Sequence, residues 1–123
     1  MATVRSEKMT IVNIYRSREA KDEEFLSHLM EILNEDILQN AILVVGDFNF
    51  CERDKSFHPI RQALLGGNFK SLLDPPFASH IDGNCLDQAY LRKGENSNLN
   101  LRAHVGTCSY SDHDPVIVEV FET

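Results

Sequence analysis

Tryptophan is missing from this 123-residue chain, and cysteine (three), proline (four) and glycine (six) are scarce. The three cysteines, Cys51, Cys85 and Cys108, are odd in number and far apart, which argues against a disulfide framework and for a reducing, intracellular setting. So little glycine and proline excludes collagen-like and low-complexity chains. No run approaches the ~20 apolar residues of a membrane span, so no membrane partner is expected. The opening residues, Met-Ala-Thr-Val-Arg-Ser-Glu-Lys, lack the apolar stretch of a secretory signal. Positive charge is short as well. Lys plus Arg is 12 against 19 Asp plus Glu, a formal charge of −7. The deficit is spread along the chain, five basic against eight acidic residues before Ala41 and seven against eleven after it. A protein that grips nucleic acid by electrostatics alone carries a basic face, and neither part supplies one. If the chain handles phosphates, another cation must offset their charge, and a divalent metal is the candidate.

What is present is ordinary globular composition, 42% hydrophobic and 25% charged, at a length for one domain. Lys8 to Tyr15 is β-branched and aromatic and reads as a strand. From Arg18 to Asn40 the apolar period becomes helical, with Phe25, Leu26, Leu29, Met30, Ile32, Leu33 and Ile37 in one stripe. Asp22, Glu23 and Glu24 fall in its early turns, where the helix dipole favours acids. Ala41 to Gly46 is apolar at consecutive positions, the mark of a central strand covered on both faces. Pro59 to Leu65 predicts a short helix ended by Gly66-Gly67. Leu86–Leu91, Leu99–Val105 and Val116–Phe121 read as three more strands. This order predicts an α/β (α+β) sandwich with a mixed sheet.

Three segments carry chemistry. In Gly46-Asp47-Phe48-Asn49 a buried strand ends in a carboxylate and a carboxamide two residues apart, a spacing that shares one face of extended backbone and turns Phe48 into the core. The carboxyl end of a central strand is where α/β sheets place ligands, although Asp and Asn are equally turn residues. In Tyr110-Ser111-Asp112-His113-Asp114-Pro115 an imidazole lies between two acids, as a general base or metal neighbour does, or as an exposed polar loop does. In Cys85-Leu86-Asp87-Gln88-Ala89-Tyr90-Leu91 an acid sits among apolar residues; burying it needs a partner such as His113, unless the strand is an edge.

In this order, GDFN, LDQAYL and YSDHDPV resemble the metal-dependent endonuclease/exonuclease/phosphatase superfamily, the fold of DNase I and abasic-site endonucleases. IVNIYRS resembles the strand that precedes a helix in that family. The stretch SHIDGNCLDQAYL followed by YSDHDPV is most similar to versions associated with mobile elements, including those joined to helicases of rolling-circle transposons. The resemblance implies a DNase I-like α/β sandwich with helices on one face of a mixed sheet. It also implies phosphodiester hydrolysis by a metal-activated water, with nucleic acid, above all DNA, as partner. Asp47 would orient or deprotonate the attacking water, and Asn49 would hold it and the scissile phosphate. His113 would bond a non-bridging oxygen or share the base role, Asp87 would orient His113, and Tyr15 would contact the phosphate. Asp112, with Asp47, would hold Mg²⁺ or Mn²⁺, ions that need few protein carboxylates.

The likeness takes in residues 1–123 as one partial domain, equivalent to the C-terminal half of the family's fold. An early Asn and a metal-binding Glu of the other half have no counterpart before Lys8, which predicts weaker metal binding and low turnover. A sheet face built to meet a second sheet is then expected to be left apolar, for a missing N-terminal half or a second chain to cover. Two further readings stand beside the nuclease. One is a catalytically inactive remnant that binds a partner protein through that face. The other is a phosphatase or RNA deadenylase, because the fold hosts several phosphoester chemistries. A zinc site from His80 with Cys85 and His104 with Cys108 is the alternative metal chemistry.

Overall fold

In the computed structural model, residues 2–5, 8–17, 19–34, 41–49, 59–73, 87–94, 97–106 and 116–122 are described. Strand β1 (Ala2–Arg5) runs antiparallel to β2 (Met9–Tyr15), and β2 leads through helix α1 (Asp22–Asn34) to β3 (Ala41–Asp47), parallel to it. Helix α2 (Pro59–Gly66) and the two-residue β4 (Lys70–Ser71) follow, then β5 (Asp87–Arg92), antiparallel to both β3 and β4. These strands form one mixed sheet in the order β1-β2-β3-β5-β4, with β3 at its centre. Strands β6 (Leu99–Val105) and β7 (Val116–Glu122) pair antiparallel as a separate two-stranded ribbon.

Strand alternation sorts the core into two halves. Val12, Ile14, Ile42, Val44 and Tyr90 pack under the helices against Phe25, Leu29, Leu33, Ile60 and Leu64. Met9, Ala41, Leu43, Ala89 and Leu91 point the other way, against Leu99 and Leu101 of the ribbon. Ala41 to Val44 are buried in succession because β3 is covered on both sides, as their unbroken apolar run predicts. The helices lie on one face, as expected.

The second face departs from expectation. The ribbon turns Leu99, Leu101, Val116 and Val118 onto it, so this chain supplies part of a second sheet and the face is partly covered. Lys8 Nζ pairs with Glu122 Oε1 and ties the end of β7 to the start of β2. Apolar surface remains at Val4 on β1 and at Ile117, Val120 and Phe121 on β7. β1 and β4 go unseen in the sequence because four and two residues are too few to display a period.

Helix boundaries also shift. α1 begins at Asp22 rather than Arg18, because Ala20 N–H bonds the Ser17 carbonyl in a turn and Phe25 N–H starts the helix at the Lys21 carbonyl. Its expected continuation to Asn40, with Ile37, lies outside the described residues. α2 ends through Asn68, not a glycine. Asn68 takes the left-handed φ of 68°, its N–H reaches the Leu65 carbonyl at 3.2 Å, and Phe69 N–H reaches that of Leu64 at 3.0 Å. This is a Schellman cap, closed by Phe69 joining Leu64 in the core. Among the described residues no helix is long and apolar enough to cross a membrane.

One glycine is dictated by packing. Gly46 has φ 142°, and a Cβ there would fall 2.0 Å from the carbonyl oxygen of Ile14 on the adjoining strand. Gly46→Ala must therefore part β2 from β3 or distort both. A loss of at least ~3 kcal/mol is expected, combining backbone strain with the overlap, read as a lowered midpoint in urea denaturation.

Candidate active site at the carboxyl end of strand β3

Strand register assembles the site. Tyr15 is the parallel partner of Asp47, and Asp47 is the antiparallel partner of Asp87. Paired residues share a face, so the three form one row across β2, β3 and β5. Helix-side positions alternate with them, which places the row on the ribbon side. Val45 and Ala89, one row inward, still belong to the apolar core there. Asp47 and Asp87 are half-buried at its margin, and Tyr15 is 73% exposed. Like charges directly opposite across a strand pair are unfavourable unless other groups pair with them.

Phe48 turns inward as predicted and is fully buried. Its ring meets Phe25 edge-on at 6.3 Å and Tyr90 at 5.5 Å, anchoring the end of β3 between α1 and β5. The tyrosine hydroxyl is satisfied by Gln88 Oε1 at 2.5 Å, so the aromatic cluster buries no orphan there.

Asn49 does not continue the strand. Extended spacing predicts Asp47 and Asn49 side by side on one face, but β3 stops at Asp47 and Asn49 adopts a left-handed φ of 53°. Its N–H donates to Asp47 Oδ1 at 2.9 Å, and its Nδ2 donates to the Arg16 carbonyl. A side chain that can bond its own backbone two residues on competes with the ladder, and at a strand end it wins. The turn-forming reading of this Asp-Asn pair is the one these bonds bear out.

Arg16 escaped the sequence reading. It follows β2 directly, is buried, and its N–H extends the ladder to the Asp47 carbonyl at 2.9 Å. Its guanidinium donates to the carbonyls of Phe48 and Ala20, each at 3.2 Å, pairs with Asp22, and lies 5.7 Å from the centre of the Phe25 ring. The available signal was an arginine between a buried strand and the acidic first turn of a helix.

Asp112 and His113, with Asp114, lie outside the described residues, as do His80, Cys85 and Cys108 of the zinc alternative. His104 stands on the outer face of β6, exposed, with Nδ1 3.8 Å from Glu119. Glu119 also pairs with Arg102 at 3.2 Å on that solvated face. Among the described residues no three His, Cys, Asp or Glu side chains converge as a metal cluster. Asp47 and Asp87 are register partners across β3 and β5.

No family model matches the chain, and no curated protein sequence does. Solved structures do match. The endonuclease domain of TRAS1, a telomere-specific non-LTR retrotransposon, superposes over 94% of this chain and 58% of its own, with TM-score 0.70 and 15% identity. An endonuclease/exonuclease/phosphatase family protein from Leptotrichia buccalis covers 97% of this chain and 52% of its own (TM-score 0.64, 16% identity). The mannosyl-6-phosphatase Bt3783 of Bacteroides thetaiotaomicron covers 92% and 50% (TM-score 0.57, 13% identity). The fold is thus the DNase I-like α+β fold of endonuclease/exonuclease/phosphatase proteins. The chain spans about half the length of the structures it matches.

Because Phe48 wedges the strand end in place, Phe48→Ala is expected to cost about 3–5 kcal/mol, in the range of other buried aromatic truncations. Chemical denaturation measures it, and a loss below ~1 kcal/mol would show that the site's anchor lies elsewhere.

Proposed function

We propose that the chain is a nuclease-type phosphodiesterase lobe, acting on DNA through a divalent cation. The observation that supports this best is the row Tyr15–Asp47–Asp87 at the carboxyl end of the central strand. The neighbours of this fold include an endonuclease domain and a phosphatase, which fits phosphoester chemistry.

The donor set suits Mg²⁺ or Mn²⁺. Mg²⁺ takes one or two carboxylates while keeping waters and substrate phosphate as its other ligands. Asp47 and Asp112 would hold the ion. When bound, it supplies charge neutralisation at the phosphate and acidifies a water. Asp47 would orient or deprotonate the attacking water, and Asn49, bonded back to Asp47 and to Arg16, would hold it and the scissile phosphate. Asp87 would fix the tautomer and orientation of His113, which would bond a non-bridging oxygen or share the base role. Tyr15, open to solvent, reaches the phosphate. An intracellular setting accords with the odd cysteine count.

Plasmid, abasic and single-stranded DNA incubated with Mg²⁺, Mn²⁺ or EDTA test this. Cleavage with either metal and none in EDTA is expected, and equal cleavage in EDTA would overturn the metal route. Asp47→Ala and His113→Ala should each lower the rate at least ~100-fold while leaving the circular dichroism intact. Tyr15→Ala should change stability by less than ~0.5 kcal/mol, as exposed positions do, yet weaken DNA binding in a fluorescence-anisotropy titration.

A second reading has its own support: a lobe that works only when joined to another. Ile117, Val120 and Phe121 on β7, and Val4 on β1, are apolar and exposed. A further strand-bearing lobe, in the same chain or a second one, would cover both. A folded chain that cuts no DNA under any metal condition favours this reading.

A further inference from the structure

We propose that Arg16 is the positioning residue of this site, a buried clamp that imposes the left-handed turn at Asn49 and so aims Asp47 and Asn49 together. The inference rests on the reading of those two side chains as working groups. Its own evidence is the set of bonds converging on one guanidinium. One terminal nitrogen donates to the carbonyl of Phe48, the residue between Asp47 and Asn49. The other donates to the Ala20 carbonyl and pairs with Asp22 at the start of α1. The backbone of the same residue closes the arrangement from the other side. Its N–H bonds the Asp47 carbonyl, and its carbonyl accepts from Asn49 Nδ2. Every residue of the 47–49 turn is thereby bonded to Arg16.

Burial decides between this role and phosphate binding. The arginine side chain is only 9% exposed and both terminal nitrogens are engaged, so it is not presented to a ligand. Nor is stability a sufficient reason for it. Buried ion pairs are often matched or surpassed by apolar packing, and here Nε is buried with no partner among the described residues. What an apolar side chain cannot do is donate along several fixed directions in one plane. Lysine cannot either, since a single ammonium replaces the rigid fork.

The clamp also links the turn to the neighbouring helix. Asp22 lies in the first turn of α1, whose Phe25 carries the guanidinium over its ring and touches Phe48 edge-on. A shift of α1 therefore reaches Asn49 through Arg16 as well as through the aromatic wedge.

The test compares Arg16→Lys, Arg16→Ala and Asp22→Asn with the unmodified chain. Backbone chemical shifts of Asn49, which report its left-handed φ, are read by NMR with cooperative melting as the control. Arg16→Lys and Arg16→Ala are expected to move the Asn49 signals out of the left-handed range while the remaining strand signals stay. Guanidinium ion added to Arg16→Ala should return them. Asp22→Asn, which strips the ion pair but keeps both carbonyl bonds, should shift them less than Arg16→Lys does. Asn49 signals unmoved in Arg16→Lys, or moved as far by Asp22→Asn, would overturn the inference, and this comparison holds even if Arg16→Ala fails to fold. Where the unmodified chain cleaves DNA, Arg16→Lys should lower kcat about 10- to 100-fold with KM changed less than twofold, as a misaimed group does. Unchanged kcat would also overturn it. If the signals move as expected while the unmodified chain never cleaves, the clamp stands and the reading of this chain as a nuclease on its own falls.

Discussion

The approach of β3 to β2 at Gly46 governs the rest of the molecule. A side chain at that position would enter the Ile14 carbonyl, so the two backbones meet more closely than any residue with a Cβ permits. The parallel register locked there runs without a break from Met9↔Ala41 to Tyr15↔Asp47. That register decides which atoms end the sheet together. A slip of one residue would send Tyr15 and Asp47 to opposite faces and bring Phe48 out of the core. The aromatic wedge of Phe48, Phe25 and Tyr90 reinforces the same alignment from the helix side. Packing and site geometry are consequences of one constraint.

The distribution of charge follows from it. β3 is buried along both faces until Val45, and its first carboxylate appears where the apolar cover ends. Asp87 arrives opposite through β5, so two acids of distant sequence become neighbours. Arg16, beside the site, is turned inward and bonded to carbonyls and to Asp22.

Much of the fold was legible along the chain. The consecutive apolar run of Ala41–Val44 announced a central strand, and the stripe of Phe25, Leu29 and Leu33 announced a helix packed on the sheet. Both are long segments with a strong period. The ribbon was legible as two strands but not as a separate sheet, because alternation shows that a strand has an inner face and says nothing of which surface it meets. β1 and β4 were too short to signal. At the site, Asp47 and Phe48 were placed correctly from spacing alone. Asn49 was not, since a local hydrogen bond to Asp47 Oδ1 outcompeted the extended backbone that the spacing assumed.

Local order in the amino acids determined what each segment would be: a buried strand ending in Gly-Asp-Phe-Asn, an amphipathic helix with acids in its first turn, a strand carrying one acid among apolar neighbours. These depend on side-chain period and on backbone preferences that act over a few residues. The tertiary structure alone decided that Tyr15, Asp47 and Asp87 share a row, that Arg16 is a buried clamp, and that β6 and β7 cover the second face. Such facts rest on register between strands some forty positions apart and on which faces meet. Those are set by close packing in three dimensions, and no periodicity in one dimension encodes them.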